Sequence, residues 1–285
     1  MARTLPRPVT DFEAVIRAIS RQRGEPVVLV GGHAVNVWAN TFQSAIGDRL
    51  KPHGALMSGD MDVYGTRGAL LSLHKDLGGK LRLGGPREII DGTIIMGEEP
   101  DTRDIGVLRT VNGLPSIEAK DTVILRVCGY DIPVLFPHLL LQGKLENALH
   151  LDQEGRQDVK HVKIMALVLP EFIKFTLESA RLSREKDVLK LLQDALKILT
   201  SENAREFSKR HGLDFREAMP PSLFATTSLP RIAKFGKEQL DRAFPAASGS
   251  ENSGEQRSKA LKIPHRMDKD YRPRPPIKDS SEPSI

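Results

Sequence analysis

Cysteine occurs once in this 285-residue chain, at Cys128, so no disulfide can form within it. That absence suits a reducing compartment and leaves burial as the source of stability. Cys128 sits in the apolar run VILRVC, where a buried, inert thiol is expected. Aromatic residues make up only 5%, with a single tryptophan. Trp38 lies in a helical stretch and reads as a core residue, not a platform for a base. No apolar run approaches the roughly 20 residues that a membrane span requires. The opening MARTLPRPVTDFEAV has no apolar segment of a secretory signal. No membrane association is therefore expected, and a cytoplasmic location is. The phosphate-loop patterns GxxxxGK[ST] and GxGxxG are missing. So are GxSxG and any His, Cys or Glu set with zinc-ligand spacing, which removes a Ser hydrolase and a structural zinc from the field.

What remains is a soluble composition, 39% hydrophobic and 28% charged, with a formal net charge of +5. The charges balance over residues 1–150, and the basic excess lies in the later helices and the tail. Such an excess is compatible with an anionic partner without requiring one.

Periodicity divides the chain. DFEAVIRAISRQRG carries apolar residues at helical spacing and closes at Gly24. EPVVLVGG predicts a short buried strand, Val27 to Val30, and HAVNVWANTF a helix. The insertion ANTFQSAIGDRLKPHG predicts a polar loop before the strand MDVYG. RGALLSLHKDLGG predicts a helix. REIIDGTIIMG, RDIGVLRTV and TVILRVCGYDIPVLF predict strands, the last a hairpin turning near Gly129. From Pro137 onward five or six helices are expected, with prolines at first turns. RQDVKHVKIMALVL and PEFIKFTLESARL count as two of them. Pro, Ser and charge dominate after about Ala246, where disorder is expected. The expected architecture is α/β (α+β): a mixed-sheet domain over 1–136, a helical domain over 137–244 and a disordered tail over 245–285.

The stretch SGDMDVYG at residues 58–65 is the chemical puzzle. Strand side chains alternate, so Asp60 and Asp62 leave one face while Met61 and Val63 leave the other. Two adjacent carboxylates repel and resist burial, and a cation between them would relieve both effects. Upstream, the strand VVLV ends in Gly31-Gly32 at the start of a helix. Glycines let a backbone approach an anion closely, and helix-start N–H groups favour one.

A strand ending in Gly-Gly, then a helix, then a strand bearing Asp-x-Asp, resembles the nucleotidyltransferase superfamily. The downstream DIPVLFPHLLLQGKLENALHLDQEGRQDVKHVKIM, with a Pro-started helix carrying Lys144 and then Arg-x-Asp-x-x-His, resembles its AbiEii-type branch. Together the likeness covers residues 27–165. It implies Mg²⁺, two ions in all, held by Asp60, Asp62 and a third carboxylate on a neighbouring strand that helps deprotonate the attacking hydroxyl. Asp104 is the first choice for that third group, Asp131 the second and Asp101 the third. Asp104 could instead be a surface carboxylate paired with Arg103 or Arg109. The resemblance further implies a nucleoside triphosphate on Gly31, Gly32 and Ser58, with Lys144 and Asp158 completing the nucleotide site. Arg156 and Asn147 are weaker candidates, and His33 reads as a packed or capping residue.

The expected activity is transfer of a nucleoside monophosphate from a triphosphate to a hydroxyl acceptor. The basic helical part favours RNA, such as transfer RNA. Some members of the branch are toxins held by a cognate antitoxin, so such a partner is a further expectation. Two alternatives stay open: a small-molecule acceptor such as an antibiotic, and a catalytically idle nucleotide- or partner-binding module.

Overall fold

The computed structural model describes residues 5–24, 26–99 and 101–244; the tail expected to be disordered lies outside them. A short 3-10 turn leads into α1 (Glu13–Arg21), whose Val15, Ile16, Ala18 and Ile19 are buried. Then come β1 (Val28–Leu29), α2 (Gly31–Thr41), α3 (Gln43–Ile46), β2 (Asp60–Tyr64) and α4 (Arg67–Leu77). Next are β3 (Lys80–Leu83), β4 (Ile90–Met96), β5 (Arg103–Leu108), β6 (Thr122–Val127) and β7 (Tyr130–Leu135). The helices α5 (Pro137–His150), α6 (Asp158–Ser179), α7 (Glu185–Leu199), α8 (Glu202–His211) and α9 (Pro230–Ala243) complete the chain as described. Among the described residues no helix is long and apolar enough to cross a membrane.

The strands form one seven-stranded mixed sheet in the order β3-β4-β5-β2-β1-β7-β6. β2 runs parallel to β5 and antiparallel to β1, and β1 runs parallel to β7. The fold is therefore α/β. One sheet face is dry: Met61, Val63, Ile94, Ile105 and Val107 are fully buried there. Leu70 of α4 reaches that face, where it touches Gly92 of β4. The boundary expected at residue 136 falls between β7 and α5. The apolar core runs across it without a break, from Phe12 through Leu135 to Phe235.

Several expectations change. The loop over 40–55 is largely helical: α3, which buries Ile46, is followed by a 3-10 stretch, Gly47–His53, that buries Leu50. The two helices expected on either side of Pro170 are one helix, α6, with Pro170 buried inside it. Proline forfeits one backbone hydrogen bond and crowds the preceding turn. Here the buried row Met165, Leu169, Phe172 and Ile173 holds the helix through it. The buried strand at 27–30 pairs only over β1, and β3 was not expected. Cys128 is half-buried rather than buried. It sits at φ +50° beside Gly129 at φ +83°, in the tight turn of the β6–β7 hairpin. Two successive positive φ values are what such a turn requires.

Candidate active site

Strand alternation sets the site. Asp60 and Asp62 leave the open face of β2 while Met61 and Val63 enter the core. β5 lies alongside with Asp104 opposite Asp60 and Gly106 opposite Asp62. Residues opposite one another share a face, so Asp104 joins the two aspartates. Asp62 is clasped between two glycines. A β-carbon at Gly106 would stand 2.9 Å from Asp62 Oδ1, and one at Gly31 would stand 2.4 Å from Asp62 Oδ2. Gly31 is also at φ +66°, a region that side-chain-bearing residues avoid. Its neighbour Gly32 leaves room for Ser58, whose Oγ would meet a β-carbon there at 2.4 Å. Thus the first turn of α2, with no side-chain cap, opens directly beside Asp62.

These carboxylates sit uneasily. Burial, and then the charge of Asp60, push Asp62 up to about 7; Lys144 and Arg156 pull the other way and Asp158 adds to the push. Asp104 is also raised, first by burial and then by Asp60, against Arg82. Neither flanking arginine pairs with Asp104. Arg109 donates to Asp91 and Arg103 faces Asp101.

A second charged group faces them. Lys144 of α5, buried, donates from Nζ to Asp158 Oδ1 at 2.8 Å, and Arg156 Nε donates to Asp158 Oδ2 at 2.7 Å. Burial alone would raise Asp158, but the two cations outweigh it and hold the carboxyl below its usual range. Both oxygens of Asp158 are thus engaged, and the carboxylate fixes Lys144 and Arg156 in place. Arg156 thus stands with Lys144 and Asp158, near enough to Asp62 to favour its charged form. Asn147 does not: its side chain accepts from Asn112 and its backbone carbonyl from Gln153.

The other expected positions separate clearly. Asp131 lies on β7, across β1 from β2, and faces Arg126 on β6 at 3.6 Å. Asp101 pairs with Arg7 and Arg103. Neither joins Asp60. Trp38 is buried and donates from its indole N–H to the Leu135 carbonyl at 2.9 Å. His33 is packed edge-on against Phe12.

Three further residues enter through register alone. Lys80, Ile95, Asp104 and Asp60 form one row across the sheet, and Arg82, Thr93, Gly106 and Asp62 the next. The open face therefore passes from carboxylates at its centre to cations on the edge strand. Lys80 and Arg82 lie in the unexpected β3, and Gly106 could have been found by aligning the strands.

A hard divalent cation fits the donor set. The offered atoms are carboxylate oxygens, and their mutual repulsion already favours positive charge between them. Among the described residues no group of three or more His, Cys, Asp or Glu side chains is placed to hold a metal ion by itself. Magnesium does not need one, since it commonly takes one or two carboxylates and fills its shell with water and phosphate oxygens. A cleft of about 420 Å³, lined by Leu114, Glu118, Glu146, Asp194 and Asn203 among others, contains none of these residues. Cavity size does not mark this site; unbalanced charge does. Comparison with family models, curated proteins and solved structures finds no match for the chain.

Proposed function

We propose that the protein is a nucleotidyltransferase that moves a nucleoside monophosphate from a nucleoside triphosphate to a hydroxyl acceptor. The observation that carries this reading is the register of β2 and β5. It gathers Asp60, Asp62 and Asp104 on one sheet face beside the bare N-terminus of α2. Acids that need a cation and a helix start that favours an anion are the two halves of a site for a metal-bound phosphate.

In this reading Asp60, Asp62 and Asp104 would hold Mg²⁺. When bound, Mg²⁺ supplies positive charge to the attacking and leaving oxygens of an in-line displacement. The backbone N–H groups at Gly31 and Gly32, with Ser58, receive triphosphate oxygens. Lys144 spends one of its three N–H donors on Asp158 and turns the others toward the phosphates. Asp104, already raised by burial and by Asp60, accepts the proton of the acceptor hydroxyl. The acceptor oxygen then bonds to the α-phosphorus as the bond to pyrophosphate breaks.

Two features favour an anionic acceptor such as RNA. The open face ends in Lys80 and Arg82, both exposed. Elsewhere Lys160 and Lys163 crowd His53, and Lys163 and Arg210, the latter paired with Glu206, crowd His211. Burial, Lys163 and Lys160 hold His53 below its ordinary value, and burial, Lys163 and Arg210 do the same to His211. A polyanion relieves such crowding, whereas a polycationic acceptor would worsen it.

The test is transfer of label from each α-labelled nucleoside triphosphate, with Mg²⁺, into total RNA. Label that appears with the wild type and is lost with Asp60→Asn and Asp62→Asn supports the reading. Equal labelling by wild type and variants overturns it.

A further inference from the structure

His161 is packed against the first turn of α2, and α2 itself buries two further polar side chains; none of the three has a hydrogen-bond partner among the described residues. His33 and Asn36 of α2 are fully buried, and His161 of α6 is 3% exposed. Both ring nitrogens of each histidine and both amide atoms of Asn36 lack a hydrogen-bond partner among the described residues. His161 presses on the glycine turn. Its Cε1 and Ser58 Oγ crowd the point where a Gly32 β-carbon would stand, at 3.0 and 2.4 Å. His33 is near enough to oppose protonation of His161. Burial is the main cause that keeps both rings neutral, with His33 lowered to about 4 and His161 lowered well below its ordinary value.

Six unpartnered polar atoms are a heavy burden. Each buried polar group left without a partner takes an appreciable share of a domain's marginal stability. Leucine or methionine would fill the same space without that cost. A neutral imidazole offers one donor and one acceptor, and an amide offers both. Ordered water, which takes two to four polar partners, would supply the bonds these atoms lack. The location supplies a reason to keep it. Two adjacent glycines give the turn no side chains of its own, so its rigidity must come from what stands behind it.

We propose that His161 is a positioning residue for the anion-binding turn. Through ordered water shared with His33 and Asn36, it fixes Ser58 and the first turn of α2. The inference rests on the nucleotide reading above and extends it to a layer that touches no substrate. Carboxylates and Lys144 supply the charges; the buried layer sets the direction in which the backbone donors point.

The test compares full-length wild type with His161→Leu and His161→Asn. Affinity for each nucleoside triphosphate is measured with Mg²⁺ by calorimetry, beside the melting temperature. Loss of a well-aimed hydrogen-bond network predicts triphosphate binding weaker by about tenfold or more in the leucine variant. Its melting temperature should stay close to that of the wild type, because leucine fills the same space. Asparagine, which restores a donor and an acceptor, should recover most of the affinity. Wild-type affinity in the leucine variant overturns the proposal, and so does equal weakening by leucine and asparagine. Should His161→Leu fail to fold, His33→Leu decides by the same readouts. A wild type that binds no triphosphate sinks the nucleotide reading and this proposal with it, whereas an unaffected leucine variant sinks the proposal alone.

Discussion

Asp158 and Asp62 face the same lysine from different supports, and their acidities move in opposite directions. Asp158 opens a helix, accepts from Lys144 and Arg156, and is held below the usual carboxylate range. Asp62 lies on a strand with another acid beside it and is pushed up to about 7. Burial opposes the charged form in both places. Neighbours decide the sign: one centre is internally compensated, the other is left short of positive charge. The compensated centre fixes its own two cations in place. In the proposed function, the uncompensated one is where an external cation would bind.

The sharpest way to break this contrast is to remove the acids. Asp60→Asn or Asp62→Asn should lower nucleotidyl transfer by about a hundredfold or more, the order expected when charge stabilisation is lost. Far-ultraviolet circular dichroism should stay unchanged, since neither side chain supports the core. The compensated centre should respond in the opposite manner. Lys144→Met leaves Asp158 with Arg156 alone and should destabilise the protein by about 3–5 kcal/mol, the usual effect of breaking a buried pair. Urea unfolding would measure it, and an undiminished midpoint would show that the pair does not hold α5 to α6.

Acidity gives a third test. The folded-state value of Asp62 lies above its unfolded value, so protonation favours the folded state. That contribution is fully present below the ordinary carboxylate range and is lost as pH rises through about 7. Without metal, the wild type should gain melting temperature from pH 8 to pH 6 relative to Asp62→Asn. Added Mg²⁺ should raise the melting temperature more at pH 8 than at pH 6, because it then displaces no proton. A wild-type difference from Asp62→Asn that does not vary with pH would overturn the assignment of the shift to this residue.

The smallest effect is expected at Asp131. Its exposed pairing with Arg126 predicts that Asp131→Asn changes stability by less than about 1 kcal/mol. Transfer activity should stay within about twofold. A large loss of transfer would return Asp131 to the site.

The candidate site was legible where local periodicity carries chemistry. Alternation put Asp60 and Asp62 on one face, and the order of strands pointed to Asp104. Lys144 and Asp158 rested on a resemblance, and the structure brings them within 2.8 Å of each other. What escaped was non-local or weakly patterned. β3 is four residues, KLRL, mostly exposed and without the alternation of a half-buried strand. Pro170 reads as a helix start, and only tertiary packing carries α6 through it. His161 sits in DVKHVK, which looks like a charged helix face, yet its ring is buried against Gly32. Its spacing three residues after Asp158 was the one available signal, since residues that far apart share a helix face.

The strand order has a consequence for how the chain is made. β1 is two residues long, yet it is the seam of the sheet, with Tyr64 and Val63 on one side and Val134 on the other. A ribosome that has released only the first hundred residues has produced both glycines and both β2 aspartates but not the strand that closes β1. Until residue 134 arrives, that edge is open, apolar and able to pair with a neighbouring chain. Lys144 and Asp158 follow later still. A contact spanning more than a hundred residues is slow to form because its loop must close first. Synthesis therefore delivers the acids early and their setting late, and a chain interrupted near β5 would carry the carboxylates exposed on an unfinished sheet.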